Sequence, residues 1–278
     1  MRLTEADLIA VVLRTVSYVE QKNFKMIFKL VSYNIHRAIG IDRRFSPQRI
    51  ADILNTLNAD IVMLQEVDYG VPRSDELDLA ATLAEMCGYP YQATGYNVSL
   101  KKGYYGNATL SRFPIVGETN IDLTVDNKKK RGCQHTLIDL DETRNDRLML
   151  DVFNLHLGLS AKERQKQMGI LFKSREFSNI NPDYPCIVGG DFNDWRSLLR
   201  ALFIIGRDFQ CATDRTTVRG NEKAIRTYPS FSPRGGLDRI YYRGGLKALN
   251  AHRSKIKTAK VASDHLPVVT TFELLKKN

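Results

Sequence analysis

A chain of 278 residues, 43% hydrophobic and 26% charged, has the composition of an ordinary globular protein and can bury a core without disulfide bonds. Its four cysteines form no Cys-x-x-Cys pair, so the sequence gives no basis for a structural zinc site or a thiol-redox motif. The formal net charge of +10 favours an anionic partner, such as nucleic acid, a phosphorylated metabolite or an acidic lipid surface.

The first 25 residues lack the features of a secretory signal peptide, because Glu5 and Asp7 stand where positive charge is required and the apolar run Leu8 to Leu13 is short. The apolar residues of this segment share one helical face. We predict an N-terminal helical extension at residues 1–25 and a single globular domain at residues 26–278. With widely spaced cysteines and no apolar segment long enough to span a bilayer, we expect a cytoplasmic protein, and we expect it to be a monomer.

From residue 26 onward, apolar strands alternate with helical segments. A strand is predicted over 26–35, and Ser46 followed by Pro47 supplies an N-cap and a first helical residue for a helix through about Leu57. The run Ile61 to Val67 is almost entirely apolar, as in a strand that is buried on both faces. Asp75 is predicted to cap a helix that ends near Gly88.

The remainder of the chain is rich in strands. Strands are predicted at 106–112, 115–123, 134–140, 147–156, 185–190, 237–242, 246–256 and 266–274. Helices are predicted from Ser160 to about Phe177 and near 195–205. Many strands with helices between them indicate an α+β fold in which two sheets pack together and the helices lie outside.

Polar residues recur at the ends of the predicted strands, where packing does not require them. They are Asn34, Glu66, Asn107, His156, Asp191, Asn193, Asp238, Asp264 and His265. Each one alone is explained equally well as a turn former or a satisfied polar group, as Asp191 and Asn193 beside Gly189-Gly190 illustrate. A carboxylate or amide at a strand end also projects into the crevice where ligands bind, and the repetition favours that explanation.

A resemblance to the endonuclease/exonuclease/phosphatase superfamily rests on seven motifs in order: SYNIH, LQEVD, YGNATLSRFP, NLHLG, GGDFND, LDRIYY and SDHLPV. It extends from residue 27 to about residue 273 and is greatest to uncharacterised bacterial members. The resemblance implies a four-layer α/β sandwich, with two mostly antiparallel sheets face to face and helices on both outer sides. The active site would lie at one end of that sandwich, and residues 26–278 would be the catalytic domain.

The resemblance also implies a role for each motif residue. Glu66 would be the principal metal ligand, with Asn34 and Asp264 beside it. The catalytic residues would be His156, Asp191, Asn193, Asp238 and His265, with Asp238 holding His265 and with both histidines on the scissile phosphate. Asn34, Asn107 and Tyr105 would contact the substrate. His36 lies on the same strand face as Asn34, but some relatives carry a carboxylate there, which leaves its role open.

These residue types suit metal-assisted attack of water on a phosphate ester. Negative charge builds on the phosphoryl oxygens during the attack, and fixed donors and a hard cation stabilise it. A glutamate with oxygen ligands and water suits Mg²⁺ or Mn²⁺. Either Asp191 or a histidine would take the proton of the water, and we favour Asp191.

The substrate class is less determined. GDFND and LDRIYY differ from the corresponding motifs of phosphoinositide 5-phosphatases, and YNIH differs from the first motif of the exonuclease III type. The basic charge favours a nuclease acting on nucleic acid, with a phospholipid phosphodiesterase acting on anionic phospholipid as the alternative. An inactive anion-binding module is disfavoured because Glu66, Asp191, Asp238 and His265 are all present. No aromatic-rich segment for base stacking stands out.

Overall fold

Two six-stranded sheets form the centre of the protein. A computed structural model describes residues 25–275 apart from 142, 144–146 and 217–221. The first sheet has the order β13 (Leu246–Arg253), β14 (Val268–Leu275), β1 (Lys25–Asn34), β2 (Ile61–Tyr69), β4 (Tyr104–Ser111) and β3 (Tyr91–Ser99). The second has the order β5 (Ile115–Asp122), β6 (Gly132–Asp139), β7 (Met149–His156), β8 (Cys186–Asp191), β12 (Asp238–Arg243) and β9 (Gln210–Cys211). A ribbon of β10 (Asp214–Thr216) and β11 (Glu222–Ala224) lies apart from both.

Each sheet contains one parallel pair at its centre. β1 runs parallel to β2, β7 runs parallel to β8, and the other pairings in the two large sheets are antiparallel. The carboxyl ends of these four central strands therefore lie beside the amino ends of their antiparallel neighbours β4 and β12.

Three apolar cores separate four layers. Between the sheets, Phe28 and Met63 of the first sheet pack with Ile187 and Ile240 of the second. The outer face of the first sheet is covered by α1 (Pro47–Leu57), α2 (Leu79–Cys87) and α6 (Ala259–Ala262). The outer face of the second is covered by α3 (Ala161–Lys173), α4 (Arg175–Ser178) and α5 (Arg200–Arg207). The predicted four-layer sandwich is confirmed, and burial of β2 on both faces explains its apolar sequence.

Amide side chains cross the interface between the sheets. Gln65 Nε2 donates to Asn154 Oδ1 at 2.8 Å, and Asn154 Nδ2 donates to the carbonyls of Leu64 and Ala108 at 3.1 and 2.9 Å. Asn107 Nδ2 donates back to the Asn154 carbonyl at 3.1 Å. This amide network is fully buried, and its directional bonds fix how one sheet lies on the other.

Several predicted element ends are wrong for identifiable reasons. The cap of α2 is Asp78, whose carboxylate accepts from the Ala81 amide at 3.0 Å, whereas Asp75 ends a preceding 3₁₀ turn. Ser46 occupies the N-cap position of α1 but its side chain makes no capping bond. The single helix predicted from Ser160 is interrupted at Ser174, which caps α4 instead.

The helix predicted near 195–205 begins only at Arg200, because Asp194 accepts from the Leu199 amide at 2.8 Å and holds the preceding residues in turns. The strand β3 was not predicted. Of the predicted extension at 1–25, residues 1–24 lie outside the described residues. None of the helices in the described ranges is both long and apolar enough to cross a membrane.

Candidate active site

A row of polar residues lies near the carboxyl ends of the central strands of both sheets, although β2 continues past Gln65 and Glu66 to Tyr69. In the first sheet Asn34 pairs with Gln65, and Gln65 pairs with Asn107. In the second sheet His156 pairs with Asp191, and Asp191 pairs with Asp238. The two rows face each other across the end of the sandwich, as the hydrogen bond from Asn34 to Asp191 demonstrates.

Glu66 enters this site through a bulge in β2. The pairing with β4 skips Glu66, passing from Gln65 opposite Asn107 to Val67 opposite Gly106. Glu66 has a φ of 59°, in the left-handed region, which costs about 1–2 kcal/mol for a residue with a Cβ. The bulge brings the carboxylate beside Asn34, whose Nδ2 lies 3.4 Å from Glu66 Oε1.

Asp191 lies at the centre of the site. Its Oδ2 accepts from Asn34 Nδ2 at 3.1 Å and lies 3.5 Å from His156 Nε2 and 3.6 Å from His265 Nε2. Its Oδ1 accepts from the Asn193 backbone amide at 2.9 Å. Burial raises the pKa of Asp191 to about 6, against the opposing effect of His265. This carboxylate is therefore ionised at neutral pH and is a stronger base than an exposed aspartate.

His265 is oriented by Asp238. The His265 Nδ1 atom lies 2.9 Å from Asp238 Oδ2, which also accepts from the Thr227 hydroxyl. Burial alone would lower the pKa of His265, but Asp238 and Asp191 outweigh it and raise that pKa to about 10. His265 is therefore an imidazolium at neutral pH, with Nδ1 bound to Asp238 and Nε2 facing Asp191.

His156 has the opposite protonation state. Burial, followed by the charges of Arg131 and His265, holds its pKa well below the usual range. His156 is therefore neutral at physiological pH, and its 3.5 Å approach to Asp191 is not an ion pair. The site thus presents one neutral and one charged imidazole to the same carboxylate.

The remaining predicted residues lie around this centre with different contacts. Burial, followed by the charge of the nearby Glu66 carboxylate, raises the pKa of Tyr105. Asn193 Nδ2 donates to the Leu157 carbonyl at 2.9 Å, and Asn107 Nδ2 belongs to the amide network. Asp264 is joined to the site through Ser263, whose hydroxyl lies 3.4 Å from Asp264 Oδ1 and donates to the Asn34 carbonyl at 2.7 Å.

His36 turns away from the carboxylates. Its Nδ1 lies 2.8 Å from the Ile39 carbonyl oxygen, within the tight turn that follows β1. Its backbone amide donates to Asn34 Oδ1 at 3.0 Å and so holds the Asn34 side chain. These contacts give His36 a local structural role.

Comparison with known protein families identifies the family of this chain. A family model described as the Endonuclease/Exonuclease/phosphatase family matches residues 31–265. The chain belongs to this family. Its members are hydrolases, among them nucleases and phosphatases, and they generally use divalent metals. The resemblance predicted from the motifs is confirmed.

Relatives of the endonuclease/exonuclease/phosphatase family agree with this assignment. The uncharacterized protein YbhP of Escherichia coli K12 is 32% identical over 256 residues, which cover 89% of this chain and 96% of YbhP. A family structure from Beutenbergia cavernae has a TM-score of 0.70 at 20% identity, over 89% of this chain and 72% of that one. The 2′,3′-cyclic phosphatase ANGEL2, in complex with adenosine-2′,3′-vanadate, has a TM-score of 0.67 at 16% identity, over 90% and 96%. The two structural likenesses establish the shared fold.

The side chains of the site fit the divalent metal that the endonuclease/exonuclease/phosphatase family generally uses. Asp191, Asp238 and His265 bring possible ligand atoms within 4.8 Å of one another, but Asp238 and His265 are already bound to each other, and all three are buried. The Glu66 carboxylate is partly open, with 17% of its side chain exposed, and it adjoins Asn34. Mg²⁺ and Mn²⁺ take oxygen ligands and retain water, which suits Glu66 better than the buried group.

Four basic residues near Glu66 were not predicted as site residues. This cationic wall consists of Arg37, Arg73, Lys129 and Arg131. Arg37 Nε lies 3.7 Å from Glu66 Oε2, and the Lys129 ammonium lies 5.1 Å from the centre of the Tyr105 ring. Arg73 forms two hydrogen bonds to Asp68, at 2.8 and 2.7 Å.

Arg131 is the buried member of the cationic wall. Only 7% of it is exposed, its Nε has no hydrogen-bond partner, and its side chain has no ion pair among the described residues. Its charge contributes to lowering the pKa of His156, so it lies within electrostatic reach of the catalytic residues. We call His156, Asp191, Asp238 and His265 the catalytic row. In the sequence, the run Lys128 to Arg131 indicates only a patch of positive charge, because nothing local distinguishes the side chain that becomes buried.

Proposed function

We propose that the protein is a Mg²⁺- or Mn²⁺-dependent phosphodiesterase and that its substrate is nucleic acid. The observation that carries this proposal is Asp191, a buried carboxylate between a neutral and a charged imidazole and beside Asn34. A metal bound at Glu66, with Asn34 and Asp264 close by, would stabilise negative charge on the phosphoryl oxygens.

The residues of the chain supply the other steps. Asp191 accepts the proton of the attacking water, since its raised pKa makes it a base matched to neutral pH. His265 donates through Nε2 to a phosphoryl oxygen, because Asp238 holds Nδ1 and keeps the ring charged. His156 and Tyr105 line one small pocket together with Asn107 and Arg131, and these side chains would contact the substrate beside the scissile phosphate.

Charge supports nucleic acid as the substrate. The cationic wall borders the site, and the whole chain carries a net charge of +10. A polymer with a phosphate at every unit can place one phosphate at the catalytic residues and others along the basic residues that border them, whereas an isolated monoester has a single phosphate to place. Anionic phospholipid shares the charge but not the repeating phosphates, so it remains the alternative for the experiment.

The test compares substrates with and without metal. Supercoiled plasmid, single-stranded DNA, RNA, anionic vesicles, sphingomyelin and inositol phosphates are incubated with Mg²⁺ or Mn²⁺ and then with chelator. We expect hydrolysis of nucleic acid, its loss in chelator and with Glu66→Gln, and a steep decrease with salt because phosphate contacts release counterions. Glu118→Gln, an exposed change on β5, is the matched control and retains activity.

Three results would contradict the proposal. Full activity in excess chelator would contradict the proposed requirement for a metal. Turnover restricted to phosphate monoesters would contradict the assignment as a phosphodiesterase. Hydrolysis of vesicles alone, rising with their negative charge, would assign the site to phospholipid.

A further inference from the structure

An aromatic surface adjoins the catalytic histidine. The ring of Tyr228 lies 4.9 Å from the ring of His265, and the indole of Trp195 meets Tyr228 edge-to-face at 5.6 Å and 90°. Trp195 follows Asn193 by two residues, whereas Tyr228 belongs to the loop before β12. We call Trp195 and Tyr228 the aromatic shelf.

The shelf is built rather than incidental. A Cβ added to Gly235 would lie 2.7 to 3.2 Å from three carbon atoms of the Trp195 ring, so the indole rests directly on the Gly235 backbone. The Tyr228 and Gly235 backbones are hydrogen-bonded to each other at 3.1 and 2.8 Å, which holds both supports of the ring together. The loop is also fixed to the site, because the Ser230 amide donates to the Asp264 carbonyl at 2.7 Å.

Trp195 nevertheless remains 55% exposed. An indole with one side packed and the other open offers a large flat surface at little cost in conformational entropy. Exposed basic residues flank the shelf in the chain, at Arg196, Arg226 and Arg234. A flat aromatic ring carried on a phosphate chain matches both the surface and the charge.

We propose that the aromatic shelf binds a nucleobase adjacent to the scissile phosphate by stacking on Trp195. The proposal rests on the nucleic-acid phosphodiesterase function argued above and adds the group that the enzyme recognises beside the phosphate. With the cationic wall on the Glu66 side and the shelf on the His265 side, the substrate chain crosses the site from one to the other. The shelf is therefore a specificity element, and the reacting groups are unchanged.

The binding test uses the fact that Trp195 is the single tryptophan of the chain. In chelator, which prevents turnover, the protein is titrated with an octamer of thymidylate and with an octamer of abasic tetrahydrofuran phosphodiesters of equal charge. We expect the thymidylate octamer to quench the fluorescence of Trp195 and the abasic octamer to leave it nearly unchanged. Equal quenching by both, or by neither, would overturn the stacking proposal. A blue shift produced by anionic vesicles and not by the thymidylate octamer would overturn it in favour of a lipid surface.

Two variants separate the ring from its seat. Gly235→Ala keeps the indole but displaces it from the backbone, and we expect it to weaken binding of the thymidylate octamer. Trp195→Ala removes the surface, and base stacking typically accounts for roughly 5- to 100-fold in affinity. We expect the KM for base-bearing DNA to rise by a factor in that range while kcat changes little, because the lost contact is uniform binding.

The control substitution is Tyr184→Ala, an exposed aromatic residue beside the opposite end of β8, which leaves both measurements unchanged. If Trp195→Ala raises the KM for base-bearing and abasic DNA equally, the shelf does not recognise bases. Hydrolysis of DNA without base-dependent quenching would contradict the stacking proposal and leave the proposed phosphodiesterase function intact. Base-dependent quenching without any phosphodiester hydrolysis would contradict the proposed function but support the stacking proposal.

Discussion

Opposite protonation of two histidines around one carboxylate follows from which charges each ring faces. His265 faces Asp238 and Asp191, which overcome the effect of burial, whereas His156 is buried near Arg131 and His265. His265 is charged only because of its carboxylate partners. One of them, Asp238, acts through His265, so it controls the chemistry of that ring indirectly.

Asp238→Asn is expected to lower the pKa of His265. The wild-type imidazolium persists until the pH approaches about 10. Without the Asp238 charge, burial is opposed only by the remaining carboxylates of Asp191 and Asp264, so the proton is lost at a lower pH. NMR titration of the imidazole protons of metal-free protein measures the change, and activity at neutral pH is expected to fall by roughly 10²–10⁴-fold.

The control is Asp151→Asn. Asp151 accepts from His135 at 2.7 Å, away from the site, so this change removes a carboxylate from the other paired histidine and leaves the His265 titration as it was. An unchanged His265 titration in Asp238→Asn would contradict the assigned role of Asp238.

Arg131→Met is expected to stabilise the fold and weaken substrate binding. A buried cation without an ion pair costs free energy, and an apolar side chain of similar length removes that cost, which we expect to raise the free energy of unfolding by about 1 kcal/mol. The KM for phosphodiester is expected to rise, because the anion-binding charge is lost. Urea unfolding and steady-state kinetics measure the two effects.

Arg164 provides the contrast, since it is equally buried but bound to the Leu159 carbonyl at 2.6 Å and close to Asp194 at 3.5 Å. Arg164→Met is therefore expected to destabilise the fold. If Arg131→Met also lowers the free energy of unfolding, Arg131 has a structural partner, and an unchanged KM would contradict its role in anion binding.

At the scale of single elements, the ease of prediction depended on how many faces each element buries. β2 was predicted because both of its faces are buried and its sequence is nearly all apolar. β3 was missed because it lies at the sheet edge, where Gly95, Asn97 and Ser99 interrupt the apolar pattern. The polar ends of β1, β2, β7 and β8 were predicted as site residues because nothing in strand packing requires them.

The bulge at Glu66 gives an element-scale prediction. Because Glu66 has a left-handed φ, Glu66→Gly is expected to be about 1 kcal/mol more stable than Glu66→Ala in urea unfolding. Both variants are expected to be inactive, so stability and activity separate at one residue. At Glu118, an exposed strand residue without a left-handed φ, the order is reversed and alanine is the more stable. Equal stability of the two Glu66 variants would mean that the bulge stores no strain.

At the scale of the whole molecule, the site is assembled from segments that are far apart in the chain. The sequence indicated the catalytic row because each member belongs to a motif, but it did not indicate the cationic wall or the aromatic shelf. Arg37 and Arg73 lie in separate 3₁₀ turns and Arg131 lies in the loop before β6. Trp195 and Tyr228 become neighbours at Gly235. Such groupings depend on tertiary contacts, which no local pattern in the chain records.

A chain that begins at Met26 is expected to fold and to retain activity. The three apolar cores and the site residues described here all lie at or after that residue. The shortening also removes Lys25, whose exposed ammonium lies 3.2 Å from Glu273, and such surface ion pairs contribute little to stability. Thermal unfolding and DNA hydrolysis of the shortened and full-length chains are compared. Insoluble protein from the shortened gene would show that the first 25 residues complete the domain.

The buried amides of Gln65, Asn107 and Asn154 have a mechanical consequence. Two apolar faces resist separation but offer little resistance to lateral shear, because hydrophobic contact is non-directional. Hydrogen bonds weaken quickly when their geometry is distorted, so the amide network opposes such sliding. A displacement of about 1 Å between catalytic groups is enough to impair a reaction. Glu66 belongs to the first sheet and Asp191 to the second. Because the amide network lies between the sheets next to both residues, it fixes the position of one carboxylate relative to the other.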